Sequence, residues 1–137
     1  MPPMIDAKPD FSGEYVLNRQ ASTLGATIAG VVESGRMRIE HREPDFRGEL
    51  TVVMAGSPFN AAFELPTDGR EVASTGDGRS SMSSLRWDGD ALVFAHRGEG
   101  TITFRYELLD AGFRLRATER VRGTDHDQDN TWVFDRR

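Results

Sequence analysis

The sequence contains no cysteine, which removes disulfides, a thiolate nucleophile and zinc–thiolate ligation together. It contains one lysine, Lys8, in the polar stretch Lys8-Pro9-Asp10. A Schiff-base mechanism needs a buried lysine, so that chemistry is set aside. No segment approaches the roughly 20 consecutive apolar residues of a membrane span. The opening residues, Met1 to Asp10, lack the basic stretch and apolar run of a signal peptide, and a cytoplasmic location is expected. Positive charge is also in deficit. With 17 Lys and Arg against 22 Asp and Glu, the net charge is −5, and an acidic body repels a polyanion, so nucleic acid is not an expected partner. No Ser-His-Asp signature, phosphate-cradling glycine loop or helical zinc motif is present.

What is present is alternation. The 137 residues suit one domain with a core of its own, read as a flexible leader over 1–10 and a barrel domain over 11–137. Met37, Ile39 and His41 alternate with Arg36, Arg38 and Glu40. Leu50, Val52 and Met54 do the same, as do Phe59, Ala61, Phe63 and Leu65. Leu92-Phe94-His96, Ile102-Phe104-Tyr106-Leu108, Phe113-Leu115-Ala117 and Trp132-Phe134 follow in the same period. A period of two marks half-buried strands. Turn signals separate them: Gly56-Ser57-Pro58, Thr67-Asp68-Gly69-Arg70, Gly76-Asp77-Gly78, Trp87-Asp88-Gly89-Asp90, Gly98-Glu99-Gly100 and Asp110-Ala111-Gly112. About ten strands in hairpin succession predict an all-β, up-and-down antiparallel barrel, because closure removes the exposed edges of an open sheet. One segment departs from this rhythm. Leu24, Ile28, Val31 and Val32 recur near 3.6 residues, which predicts a short helix over Ala21 to Ser34, between strands 1 and 2. Ser22 or Thr23 would cap its start and Gly35 its end; Gly25 and Gly30 weigh against it.

The residues Phe11-Ser12-Gly13-Glu14-Tyr15-Val16-Leu17-Asn18 resemble the first strand of lipocalin-like and fatty-acid-binding-protein-like (calycin) barrels, with Tyr15 where tryptophan is usual. Thr131-Trp132-Val133-Phe134-Asp135-Arg136 is similar to their last strand. The texture of Thr67 to Val72 and of Leu85 to Val93 resembles bacterial lipocalin-like domains of unassigned role. The resemblance implies a barrel closed between the Gly13 and Trp132 strands and enclosing a ligand cavity, a lid formed by Ala21 to Ser34, and a floor covered by Arg136.

Placing the apolar positions inside brings several polar residues inside with them. His41, His96 and Glu119 continue apolar phases at strand ends, and Tyr106 lies between Phe104 and Leu108. A histidine pair with a carboxylate suits acid/base work. Each has a plainer alternative: rim histidines, a Glu119 paired to Arg105 or Arg86, and a core tyrosine with a satisfied hydroxyl. Arg86 itself falls on the outward phase. Ser80 to Ser84 is polar on both faces, as the wet side of a cavity or a poorly buried edge would be. Asp125-His126-Asp127-Gln128-Asp129 reads as an acidic turn, since it lacks the central glycine and closing glutamate of a calcium loop.

Two functions follow. The first is binding of a small apolar molecule among Met37, Met54, Phe59, Phe63, Phe94, Phe104 and Trp132, with no cofactor, in a monomer or homodimer. The second is a cofactor-independent isomerase, cyclase or lyase using His41, His96, Glu119 and Tyr106. Haem or metal ligation by His41 or His96 is a third reading.

Overall fold

The computed structural model describes residues 8–76, 79–123, 125 and 127–137. They form ten strands: β1 (Gly13–Leu17), β2 (Val32–Arg42), β3 (Asp45–Met54), β4 (Ser57–Pro66), β5 (Val72–Gly76), β6 (Arg79–Asp88), β7 (Ala91–Arg97), β8 (Thr101–Leu109), β9 (Arg114–Arg122) and β10 (Gln128–Arg136). One short helix, α1 (Ala26–Ala29), lies between β1 and β2. All pairings are antiparallel, in the order β4-β3-β2-β1-β10-β9-β8-β7-β6-β5. The first and last strands pair at the centre of this order, with Tyr15 opposite Arg136 and Leu17 opposite Phe134. This is the expected up-and-down barrel.

The alternation sorts the chain into two surfaces. Inside, Phe11, Tyr15, Met37, Ile39, Phe46, Val52, Leu85, Leu92, Leu115 and Phe134 are buried in one cluster. Outside, charged residues pair across neighbouring strands: Arg116 meets Glu107 at 3.0 Å and Arg114 meets Asp135 at 3.0 Å, each at a registered cross-strand position. Such exposed pairs contribute about 0.2–1 kcal/mol each. The core burial, not the outer lattice, dominates stability.

Two expectations need correction. Thr67 to Arg70 is not a hairpin turn, because β4 and β5 are the two unpaired margins of the sheet. After Pro66 the chain crosses to β6: Gly69 N donates to Leu85 O at 2.9 Å and Asp68 bridges Arg86. β5 therefore starts from the β6 side. β4 also carries Pro58 and Pro66, residues that lack an N–H and are found on edge strands. Closure is thus by side chains. Phe63 of β4 stacks on Phe46 at 5.7 Å and reaches Phe94 of β7 at 4.8 Å across the discontinuity. Gly48 makes room for it, since a Cβ there would lie 2.9 Å from Phe63 Cε1.

The second correction is the helix, which is one turn rather than fourteen residues. Thr23 is held in extended pairing with Thr131 by two backbone bonds of 2.8 and 2.7 Å, and Val32 already pairs with Met54 in β2. Gly25 and Gly30 flank the turn that survives. The break expected at Gly56-Ser57-Pro58 is a tight turn at Ala55-Gly56, both at positive φ, so that Ser57 and Pro58 belong to β4. Gly98-Glu99-Gly100 and Asp88-Gly89-Asp90 lie where expected, between β7 and β8 and between β6 and β7. In Gly76-Asp77-Gly78, positions 77 and 78 fall outside the described residues, as do residues 1–7 of the leader and His126. Lys8 is anchored, donating to Gly89 O at 3.0 Å with its ammonium 5.3 Å from the Trp87 ring centre.

Candidate functional site

The inward faces of β2, β3, β4, β7, β8, β9 and β10 surround a cavity of about 370 Å³ beneath α1, whose Ile28 forms part of the wall. Its wall is mainly apolar: Met37, Leu50, Val52, Met54, Phe59, Phe94, Ile102, Phe104, Ala117, Trp132 and Phe134. Of the seven apolar residues expected there, six line it. Phe63 does not; its ring is committed to the gap between β4 and β7.

Three of the four polar candidates also line the cavity: His96, Tyr106 and Glu119. The register explains their heights along the barrel. Phe104, Glu119 and Asn130 are aligned across β8, β9 and β10, with Tyr106, Ala117 and Trp132 one inward step away. Among the described residues Glu119 has no arginine partner. Its Oε1 accepts from Trp132 Nε1 at 3.0 Å and from Asn130 Nδ2 at 3.0 Å, while Asn130 Oδ1 accepts from Gly25 N at 2.7 Å. Asn130 thereby ties the entrance of α1 to the cavity carboxylate. This residue was missed from the sequence, because an asparagine near an acidic turn gives no signal of a buried, bridging role.

Tyr106 is almost fully buried, and among the described residues its hydroxyl makes no hydrogen bond. Burial, reinforced by the charge of Glu119, pushes its pKa far above the ordinary tyrosine value, so the group is a neutral hydroxyl facing the cavity. His96 Nδ1 lies 2.9 Å from Ser83 Oγ, which gives one of the serines of β6 an inward role. Arg86 is exposed, as its phase predicts.

His41 is elsewhere, and this separates the expected histidine pair. It is buried among Phe11, Phe46 and Trp87 at ring separations of 5.3–6.0 Å. Its Nδ1 accepts from Phe11 N at 3.2 Å, which places the ring proton on Nε2, 3.1 Å from Glu43 Oε1. Glu43 also accepts from Thr67 Oγ1 at 2.7 Å and, through Oε2, from Trp87 Nε1 at 2.7 Å. Burial pushes the Glu43 carboxyl up, but the hydrogen bonds from Thr67, His41 and Trp87 outweigh it and hold it below the usual value. The group is a clasp joining the β2–β3 turn, the end of β4 and β6 across the margin where the sheet is unpaired. Nearby, Arg136 is held against Tyr15: its Nη2 donates to Tyr15 Oη at 2.8 Å, its Nε to Gly112 O at 2.7 Å, and its guanidinium lies 5.1 Å from the Tyr15 ring centre. Among the described residues no three His, Asp or Glu side chains converge on a metal-sized site, and no helix is long and apolar enough to cross a membrane.

Comparison with solved structures fixes the architecture. The REP1-NXSQ fatty acid transporter superposes with a TM-score of 0.64 at 18% identity, covering 93% of this chain and 96% of that one. The chain has the fatty-acid-binding-protein fold. A Schistosoma mansoni fatty acid binding protein in complex with arachidonic acid matches at TM-score 0.62 and 15% identity, over 93% of this chain and 96% of that one. A secretory abundant heat soluble protein from Ramazzottius varieornatus matches at 0.64 and 13%, over 92% and 94%. No protein-family model and no curated protein sequence matches. At these identities the likeness extends to the fatty-acid-binding-protein fold and not to a ligand.

Proposed function

We propose that the protein binds one small, largely apolar molecule inside the barrel. The observation that carries this is the cavity itself: about 370 Å³, within the size range of small-molecule sites, mostly apolar and fitted with a few inward polar groups. The solved neighbours named for fatty acid transport and binding support the reading. Phe94, Phe104, Met37, Met54, Phe59 and Trp132 would hold the apolar body, with His96, Tyr106 and Glu119 at its polar end.

The acid/base alternative has less support. His41 is spent on the Glu43 clasp, and the Glu119 oxygen Oε1 is already shared by Trp132 and Asn130. The binding reading is tested with Nile red, a neutral dye whose emission shifts blue in apolar surroundings. A saturable, one-to-one shift is expected, together with a copurified small molecule released on denaturation and seen by mass spectrometry. Absence of saturable dye uptake would refute it.

A further inference from the structure

We propose that the cavity selects amphiphiles whose polar end donates hydrogen bonds, an alcohol or a protonated amine, and rejects carboxylates such as fatty acid anions. This rests on the binding reading above. It follows from the distribution of charge along β9 and around the cavity. The arginines of β9 (Arg114, Arg116, Arg120 and Arg122) fall on the outward phase, opposite to Leu115, Ala117 and Glu119. Arg114 and Arg116 are engaged outside with Asp135 and Glu107, and Arg122 with Asp129 at 2.8 Å. Among the described residues, no lysine or arginine lines the cavity, and its one carboxylate is Glu119.

Two donors, Trp132 Nε1 and Asn130 Nδ2, converge on Glu119 Oε1. Both donors are buried, and among the described residues the other acceptor at this position is Gln128 Oε1, 3.1 Å from Asn130 Nδ2. The second oxygen of Glu119 has no partner among the described residues. An entering carboxylate would place like charges together in a site of low dielectric with no cation to offset them. An alcohol donates to Glu119 and accepts from the free Tyr106 hydroxyl. A protonated amine brings a charge opposite to that of Glu119 and donates both to Glu119 and to the Tyr106 hydroxyl oxygen, which accepts.

The test is displacement of bound Nile red by decanol, decylamine and decanoate, each below its micelle threshold, in one mildly alkaline buffer. Decanol and decylamine are expected to displace the dye, with decanoate at least tenfold weaker than either. In Glu119→Gln the ratio between decylamine and decanoate should contract at least fivefold. Dye that binds and is released by decanoate as readily as by decylamine would overturn this proposal alone. A ratio unchanged in Glu119→Gln would overturn the role given to Glu119. If that variant does not fold, the wild-type order decides. Failure of Nile red to bind at all would overturn the binding reading, and this one with it.

Discussion

Replacing Glu43 by alanine should open the barrel at its unpaired margin. The carboxylate accepts three hydrogen bonds, from Thr67, His41 and Trp87, at 2.7, 3.1 and 2.7 Å. Bonds to a charged group are worth about 1.5–3 kcal/mol each when desolvated. The Glu43 side chain is 44% exposed, so water screens it and each bond falls to about 0.5–1.5 kcal/mol. Two of the donors are buried: the His41 side chain is only 3% exposed, and Thr67 is 3% exposed. Leaving them unsatisfied puts the total loss near 2–3 kcal/mol. With a urea slope of about 2 kcal/mol/M, the unfolding midpoint followed by circular dichroism should fall by roughly 1 M without a change in slope. Amide exchange at Gly69, which bonds across to β6, should accelerate. Because the folded carboxyl is held below its ordinary value of 4.5, its contribution is complete above that value and is lost as pH falls through the lower folded one. The stability gap between wild type and Glu43→Ala should therefore be constant near neutrality and narrow below about pH 4.5. A loss under about 0.5 kcal/mol at pH 7, or a gap that widens in acid, would refute the clasp.

Other consequences follow from the same packing. Ala117→Phe places a ring in the cavity, and should abolish Nile red binding while leaving the circular dichroism spectrum intact; retained binding would show that the dye sits elsewhere. Gly48→Ala brings a Cβ to 2.9 Å from Phe63 Cε1, and the displaced ring should cost about 1–3 kcal/mol in thermal or urea unfolding, the usual range for overpacking. Tyr15→Phe removes the hydroxyl that donates to Phe11 O at 2.7 Å and accepts from Arg136; a loss of about 1–3 kcal/mol is expected, since it strands a buried carbonyl. An unchanged melting temperature would mean that water replaces the tyrosine hydroxyl between Phe11 O and Arg136.

The sequence alone determined the strand content, the up-and-down order and most of the inward wall. A period of two is a direct consequence of strand geometry: once Phe94, Phe104 and Ala117 are assigned inward, His96, Tyr106 and Glu119 follow by counting along their own strands. Pairing of the Gly13 and Trp132 strands was implied by the resemblance of those segments to the first and last strands of calycin barrels, and the structure pairs them. Counting does not give distance around the barrel. His41 and His96 share an inward phase, yet one is locked in the Glu43 clasp and the other faces the cavity. Only the register of β2 against its neighbours, and the turn that brings Glu43 back over Trp87, decided that. Local propensity also lost to tertiary pairing at Ala21 to Ser34, where two backbone bonds from Thr23 to Thr131 outweigh a helical spacing already weakened by two glycines. The unpaired margin between β4 and β5 and the Asn130 bridge were likewise tertiary outcomes. Each depends on residues far apart in sequence meeting across the barrel, and no local pattern encodes such a meeting.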